Sequence, residues 1–211
     1  MTVFSTMTGN EARIAAIGRH RFGSDGKGVR TLVAFQGCPL RCKYCINAFT
    51  WNGMREGKLY TPEKLLETVS VDSVYFRVTG GGITFGGGEP LLWADFISEF
   101  IRIAPDFWNY MVETSLSVPF ENVMAIADRV ERFVVDIKSM DESVYRAYTG
   151  GELSLARENL IKLIGLVGAE RVTVRAPFIP EYADRESQKR TVDELRRLGV
   201  AHIDAFDYRV K

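Results

Sequence analysis

The stretch "TLVAFQGCPLRCKYC" (residues 31–45) joins a short apolar and β-branched run directly to three closely spaced cysteines. The run "TLVAFQ" (31–36) has the composition of a strand that is buried on both faces. Five further runs of this kind occur along the chain: "GITFG" (82–86), "YMVETS" (110–115), "FVVDIK" (133–138), "RVTVRA" (171–176) and "HIDAFDY" (202–208). The sequence therefore predicts six strands, the first of which leads into the cysteine loop.

Helical patterns separate these strands. The clearest begins at "YTPEKLLETV", where Thr61 suits the N-cap and Pro62 suits the first helical position. A strand–helix alternation repeated about six times predicts an α/β fold with parallel strands and right-handed crossovers. An open doubly wound sheet and a curved partial barrel both satisfy this pattern, and periodicity does not choose between them. The other predicted helices lie near residues 93–104, 119–130, 154–167 and 185–198.

Length and composition narrow the setting. A chain of 211 residues suits one domain, and we expect a single domain over residues 1–211. Lys plus Arg and Asp plus Glu both number 27, and this balance argues against a general affinity for nucleic acid or anionic membrane. No long apolar run marks a signal peptide or a membrane span. We expect a cytoplasmic protein that has neither nucleic acid nor membrane as a partner.

The three cysteines, Cys38, Cys42 and Cys45, indicate a metal centre. An odd number of clustered cysteines does not suit a disulfide framework. Structural zinc takes four ligands, so a fourth would have to come from His20, His202 or a carboxylate. Thiolates are the usual ligands of iron–sulfur clusters, and three of them leave one iron of a four-iron cluster open to a small molecule. Unligated core cysteines are the third alternative.

Polar motifs follow the predicted strands, and ligands bind at the carboxyl ends of strands in both architectures. The clearest is "GGGEP" (86–90), whose glycines allow a backbone to approach a ligand closely, although a plain glycine-rich turn is an equal alternative. Glu113 and Asp136 end neighbouring predicted strands, Lys138 alternates with Asp136 along its strand, and Arg175 lies one strand further on. These four charges indicate either a ligand site or a structural ion-pair network.

The cysteine spacing, with the aromatic Tyr44 before the third cysteine, resembles the signature of radical S-adenosylmethionine (SAM) enzymes, and "GGGEP" strengthens the match. The resemblance covers nearly the whole chain. It is closest to the activating enzymes of glycyl radical enzymes, typified by the pyruvate formate-lyase activating enzymes. The matching stretches are "DGKGVRTLVAFQGCPLRCKYCINAFTW" (25–51), "GGGITFGGGEPLL" (80–92), "VETS" (112–115), "FVVDIKSMDESVYRAYTG" (133–150) and "VRAPFIP" (174–180).

This resemblance implies a partial (β/α)6 TIM-like barrel and an oxidoreductase with one 4Fe–4S cluster on Cys38, Cys42 and Cys45. SAM binds the open iron, and the reduced cluster cleaves it to methionine and a 5'-deoxyadenosyl radical, which abstracts a hydrogen atom from the substrate. A fourth cysteine would block that iron. The implied substrate is a glycine of a partner glycyl radical enzyme. The implied electron donor is a flavodoxin or ferredoxin-type protein.

The resemblance also implies roles for individual residues. Asp25 is a substrate contact, in a stretch where the family has proline at the position of Lys27. Glu113, Thr114 and Asp136 hold a monovalent cation, sodium or potassium, beside the methionyl carboxylate. The family has Asp at the position of Glu113. The cofactor-binding residues are Tyr44, Gly87, Gly88, Glu89, Lys138 and Arg175, together with the three cation ligands Glu113, Thr114 and Asp136.

Two other functions remain open at this point. One is radical chemistry on a small molecule or a short peptide. The other is a non-catalytic iron–sulfur carrier or scaffold, which "GGGEP" and the strand-end carboxylates disfavour because a carrier needs no cosubstrate site. Only one cluster is expected, since the chain has three cysteines. The related activators continue beyond the position of Lys211, so we expect a more open site that suits a bulky protein substrate or is completed by a partner.

Overall fold

The computed structural model describes residues 10–23, 26–51, 54 and 56–208. The described chain divides into two compact units. Of the described residues, unit 1 draws on those within 10–38, 47–113 and 121–131, and unit 2 on those within 39–46, 114–120 and 132–208. The single domain expected from the sequence stays a prediction. None of the helices in the described ranges is long and apolar enough to cross a membrane.

Unit 1 is built on five strands in the order β3-β1-β2-β4-β5. β1 pairs antiparallel with both of its neighbours, while β2, β4 and β5 run parallel. Helices α1 and α2 precede β4 in the chain, and α3 connects β4 to β5. The bounds are β1 (Ala12–Phe22), β2 (Val29–Phe35), β3 (Lys58–Tyr60), α1 (Pro62–Val69), α2 (Ser73–Thr79), β4 (Gly82–Gly87), α3 (Ala94–Ile103) and β5 (Asn109–Thr114), the last residue of which belongs to unit 2.

Aromatic side chains form the core of unit 1. The ring of Phe85 on β4 lies about 6 Å from those of Phe35, Phe100 and Tyr110, on β2, α3 and β5. All four side chains are buried. Complete burial of a side chain of this size contributes roughly 1.5–3 kcal/mol. The predicted strand "TLVAFQ" is therefore held to its neighbours by packing, as its apolar composition indicates.

The buried carboxylate of Asp72 ties β1 to the rest of unit 1. It accepts hydrogen bonds from Arg19 Nε, at 2.9 and 3.0 Å, and from Thr31 Oγ1, at 2.8 Å. His20 Nε2 lies 3.0 Å from the same carboxylate. Burial alone would raise the pKa of Asp72, but the hydrogen bonds from Arg19 and Thr31 outweigh it and lower the pKa below its usual value. The ionised carboxylate is thus the form that the fold stabilises.

We expect Asp72→Asn to lower the free energy of unfolding by about 2–3 kcal/mol at neutral pH, because a buried charged partner is lost. The folded-state pKa lies below the unfolded value, so this contribution is present above the unfolded pKa and disappears as pH falls through the folded pKa. Urea denaturation at neutral and at acidic pH measures both effects. Glu67→Gln removes an exposed carboxylate and should change stability little. Equal stability of Asp72→Asn and the unsubstituted protein at neutral pH would contradict the assignment.

Unit 2 contains three parallel strands in the order β6-β7-β8. Asp136, Arg175 and Asp204 are aligned across them near the carboxyl ends of the strands. Asp141 and Asp184 cap two of the helices through hydrogen bonds to backbone N–H groups. The bounds are β6 (Arg132–Asp136), α5 (Glu142–Thr149), α6 (Leu153–Val167), β7 (Val172–Arg175), α7 (Arg185–Arg197) and β8 (His202–Asp204).

One predicted helix is wrong in its extent. The pattern over 119–130 predicted a continuous helix, whereas α4 (Phe120–Met124) ends early and residues 125–129 form turns. Ile126 N donates to Val123 O and Arg129 N to Ile126 O, which are three-residue turn contacts. Glu131 N then donates to Tyr110 O at 2.8 Å, so the chain leaves its helical path to meet β5.

Candidate active site

The beginning of the cysteine loop lies in unit 1, directly after β2. Gly37 N donates to Thr50 O at 2.8 Å, and Gly37 O accepts a hydrogen bond from Glu89 N at 2.7 Å. Gly88 N donates to Phe35 O at 2.9 Å. The glycine loop (residues 86–90) is therefore hydrogen-bonded to the backbone segment that leads to Cys38.

Gly87 and Gly88 of "GGGEP" are required because backbone atoms of residues 34–37 lie very close to them. A Cβ atom on Gly88 would lie 2.1 Å from Gly37 O, and one on Gly87 would lie 2.6 Å from Ala34 Cα. Gly87 also has a φ of 92°, which L residues rarely adopt. The structure therefore gives these glycines a packing role beside the cysteine loop. Their predicted role in binding SAM stays a prediction.

Glu89 and Glu113 also lie in unit 1. Glu89 is 1% exposed, and its Oε1 accepts a hydrogen bond from Leu91 N at 3.2 Å, which caps the short turn Pro90–Trp93. Glu113 Oε2 lies 3.4 Å from the position that a Cβ of Gly86 would occupy. Glu89 is thus part of the glycine loop, and the Glu113 carboxylate lies beside it.

The rest of the cysteine loop belongs to unit 2 and is held by the end of α5. Arg41 N donates to Thr149 O at 2.8 Å, and Lys43 N donates to Tyr148 O at 3.0 Å. The buried side chain of Leu40 occupies the space where Gly151 would carry a Cβ, since its Cδ2 would be 2.4 Å from that atom. The matching stretch "FVVDIKSMDESVYRAYTG" (133–150) therefore supplies the support for residues 40–43.

Cys42 shares its surroundings with Cys45, Asp136 and Lys138. Burial raises the pKa of the Cys42 thiol to about 11, and the positive charge of Lys138 opposes that rise. Cys45 N donates to Cys42 O at 3.1 Å, which closes a turn between the two cysteines. Metal binding requires the thiolate, so a bound metal has to overcome this preference for the thiol.

Lys138 is the buried cation of this group. Its Nζ lies 3.0 Å from Asp136 Oδ1, and its side chain is 10% exposed. Burial alone would lower the pKa of Lys138, but Asp136, Tyr208 and Cys42 raise it above its usual value. The ammonium group therefore stays charged beside Cys42. The alternation of Asp136 and Lys138 predicted from the sequence is realised as an ion pair.

Thr114 and Arg175 lie in the same unit. Thr114 Oγ1 accepts a hydrogen bond from Leu116 N at 2.9 Å, so part of its function is to shape the turn after β5. Arg175 is aligned with Asp136 across β6 and β7. The predicted cation site of Glu113, Thr114 and Asp136 stays a prediction. Asp25, the predicted substrate contact, lies outside the described residues.

Tyr44 is part of a group of four tyrosines that the sequence did not predict. Its ring centroid lies 5.7 Å from that of Tyr148, 6.0 Å from that of Tyr182 and 6.2 Å from that of Tyr208. Its hydroxyl donates to Glu181 Oε2 at 2.9 Å. We call these four residues the tyrosine cluster. Only Tyr44 carried a sequence signal, because the other three come from distant parts of the chain.

The cysteines are the best candidates for holding a cofactor. Cys38, Cys42 and Cys45 form no disulfide and are partly exposed. Within the described ranges, no group of three His, Cys, Asp or Glu side chains is already arranged around a metal position. The two histidines that were candidates for a fourth zinc ligand have other contacts: His20 Nε2 lies 3.0 Å from Asp72 and His202 Nε2 lies 3.0 Å from Glu170. A set of three thiols fits an iron–sulfur cluster better than zinc.

Comparisons with known proteins agree with this chemistry. The family model for the radical SAM superfamily matches residues 32–195. The pyruvate formate-lyase-activating enzyme of Clostridium pasteurianum is 34% identical over 187 residues, which cover 87% of this chain and 77% of that enzyme. The pyruvate formate-lyase 2-activating enzyme of Escherichia coli K12 is 28% identical over 240 residues, which cover 98% of this chain and 80% of that enzyme.

The structural comparison concerns the fold. Streptococcus suis SuiB bound to precursor peptide SuiA matches with a TM-score of 0.64 at 14% identity, over 84% of this chain and 38% of that chain. This likeness confirms the predicted α/β class and the partial barrel of parallel strands. The sequence matches identify the family as well as the fold. The chain belongs to the radical SAM superfamily and, within it, to the family typified by the pyruvate formate-lyase-activating enzymes.

Proposed function

We propose that the protein is an activase that removes a hydrogen atom from a glycine of a separate glycyl radical enzyme. The observation that carries the proposal is the cysteine loop. Its backbone is bonded to the glycine loop at Gly37 and to the end of α5 at Arg41 and Lys43. The relatives named as pyruvate formate-lyase-activating enzymes support the choice of a protein substrate.

Cys38, Cys42 and Cys45 would hold a 4Fe–4S cluster. Three thiols on one short loop match the donor set of such a cluster with one iron left for SAM. When bound, the cluster supplies the electron for reductive cleavage of SAM. We propose a flavodoxin or ferredoxin-type protein as the source of that electron.

The charged residues near Cys42 would bind and orient the cosubstrate. SAM carries an amino group, a carboxylate and a sulfonium, so its recognition requires charges of both signs. The ammonium of Lys138 suits the carboxylate or the ribose, and Arg175 offers a second cation beside Asp136. The polar groups of Gly87, Gly88 and Glu89 would bind the amino group of SAM.

We also propose that Asp136, with Glu113 and Thr114, supplies oxygen ligands to sodium or potassium. Asp136→Asn should weaken SAM binding about tenfold, which corresponds to about 1.4 kcal/mol, because one charged ligand is lost. Activity of the unsubstituted protein should depend on which monovalent cation is supplied. Equilibrium binding of SAM to anaerobically loaded protein, in sodium and in potassium buffers, measures both effects.

The control for this experiment is Asp193→Asn, which removes a carboxylate from α7 that pairs with Arg196 on the surface. Circular dichroism of both variants checks that the fold is retained, since Asp136 also pairs with the buried Lys138. Unchanged SAM affinity for Asp136→Asn, together with no cation preference, would leave Asp136 with a structural role only.

The activase assignment is tested by mixing loaded, reduced protein with SAM and a glycyl radical enzyme from the same genome, without oxygen. We expect the doublet signal of a glycyl radical on the partner in electron paramagnetic resonance (EPR) spectra. The control partner has the radical-bearing glycine replaced by alanine and should give no doublet. If SAM is cleaved but no partner acquires the signal, a small molecule or a short peptide replaces the protein as substrate.

A further inference from the structure

Glu181, in the loop between β7 and α7, has a strained backbone. Its φ is 70°, in the left-handed region that side chains of this size rarely adopt. Such a conformation costs free energy and persists only where the surrounding structure enforces it, which happens most often at functional sites. The residue is exposed, so burial of its own side chain does not offset the strain. The conformation therefore directs attention to what the carboxylate contacts.

The residues on either side of Glu181 enforce this conformation. The carbonyl oxygen of Ile179, whose side chain is fully buried, accepts hydrogen bonds from Tyr182 N at 3.2 Å and from Ala183 N at 3.1 Å. Asp184 then caps the first turn of α7 with its side chain. The loop is thus fixed before and after Glu181, so the direction of its carboxylate is set by the fold.

The carboxylate of Glu181 is directed at the cysteine loop. Its Oε2 accepts a hydrogen bond from the Tyr44 hydroxyl at 2.9 Å. Tyr182, the next residue, packs edge-on against the Tyr44 ring, with centroids 6.0 Å apart. Burial raises the pKa of Tyr44, and the hydrogen bond to Glu181 raises it further, so the hydroxyl remains a donor. Two consecutive residues of the strained loop therefore hold the hydroxyl and the ring of Tyr44.

Tyr44 connects this loop to Cys45, one of the three proposed cluster ligands. The preceding part of the cysteine loop is bonded to the end of α5 through the backbone of Arg41 and Lys43. The backbone N–H of Cys45 donates within the loop itself, to Cys42 O at 3.1 Å. The Tyr44 side chain thus ties this last turn to a part of the chain that lies 137 residues further on.

We propose that Glu181 is a positioning residue that holds Tyr44 and thereby fixes the Cys45 thiol for the cluster. The inference rests on the proposed function, because it requires the cluster. Groups that orient a metal ligand without touching the metal strengthen metal binding, since the ligand is held in the geometry that the metal needs. Loss of the hydrogen bond would keep all three thiols but let Cys45 leave its iron more often.

The test measures the release of iron to a chelator from protein loaded with iron and sulfide without oxygen. Glu181→Ala keeps the strained backbone and removes the carboxylate, so it should release iron about tenfold faster than the unsubstituted chain, from an equal initial content. Glu181→Gln keeps an acceptor oxygen and should restore slow release. The control is Glu186→Ala, which removes an exposed carboxylate from α7 and should behave like the unsubstituted chain.

A double-mutant cycle with Tyr44→Phe shows whether the effect of Glu181 passes through the Tyr44 hydroxyl. Tyr44→Phe alone should release iron as fast as Glu181→Ala does, and the double variant should be no faster than either single variant. Additive effects would show that the two side chains act independently, and they would overturn the inference.

Glu181→Gly separates strain from function and covers the case in which Glu181→Ala folds poorly. Glycine adopts a positive φ without steric cost, so the urea midpoint of Glu181→Gly should exceed that of Glu181→Ala, while iron release stays equally fast. Iron release at the unsubstituted rate from the loaded position-181 variants would overturn the inference and leave the proposed function standing. An unsubstituted protein that takes no cluster would overturn the proposed function, and this inference with it.

Discussion

Replacing Cys42 by Ala is expected to abolish both the assembly of a 4Fe–4S cluster and the reductive cleavage of SAM. In a four-iron cluster with one open iron, each of the other three irons is held by one cysteine thiolate. Loss of one cysteine therefore leaves two irons without a protein ligand. The loop itself should survive. It is held through Arg41 N and Lys43 N, and these backbone bonds do not involve the Cys42 side chain.

Iron content, visible absorption of the loaded protein and formation of 5'-deoxyadenosine measure the loss. Lys43→Ala is the matched control, because it changes an exposed neighbour and keeps all three thiols. Circular dichroism of Cys42→Ala should match that of the parent, since loss of a small, partly exposed side chain costs at most about 1 kcal/mol. A Cys42→Ala protein that still binds about four irons and cleaves SAM would contradict the ligand assignment.

Gly88→Ala is expected to have the second largest effect. The new Cβ would lie 2.1 Å from Gly37 O, and that atom belongs to backbone and not to a movable side chain. Either the glycine loop or the residues before Cys38 must shift, which breaks the contact from Glu89 N to Gly37 O. We expect a loss of about 1–3 kcal/mol in the free energy of unfolding, as for other overpacked sites, and a severe loss of SAM binding.

Urea denaturation and SAM binding to the loaded protein are the measurements for this variant. Gly165→Ala is the control, because α6 leaves open space around that position. It should raise stability by about 0.5–1 kcal/mol, since alanine favours a helix over glycine. A Gly88→Ala protein with normal stability and normal SAM affinity would show that neither property requires the close approach of the glycine loop to Gly37.

Most of the predicted strands are largely buried, but β8 is not: His202 and Asp204 on it are exposed, so the expected burial of that strand on both faces is wrong. "TLVAFQ" (31–36) and "FVVDIK" (133–138) could be predicted because four of the six residues in each run are apolar, and β2 and β6 occur there. β1 was missed, since charged residues such as Arg19 interrupt its apolar pattern. Its place depends on Asp72, which lies 53 residues further along the chain from Arg19. No local pattern reports a hydrogen bond across that separation.

The site shows the same division. The sequence singled out the cysteines and the glycine loop as candidates, because each motif is a short run of neighbouring residues. It did not identify the reason for Gly88, which is the approach of Gly37, nor the support of Lys43 by Tyr148. The tyrosine cluster joins residues 44, 148, 182 and 208, so only the folded chain brings it together.

We propose that this protein takes a hydrogen atom from a glycine of another protein. Isotope transfer tests it most directly. A glycyl radical enzyme from the same genome is prepared with deuterated glycine and mixed with loaded, reduced protein and SAM in the absence of oxygen. We expect the 5'-deoxyadenosine formed to carry deuterium from the partner, as measured by mass spectrometry. Formation of 5'-deoxyadenosine without deuterium, at the rate seen when the partner is left out, would contradict it.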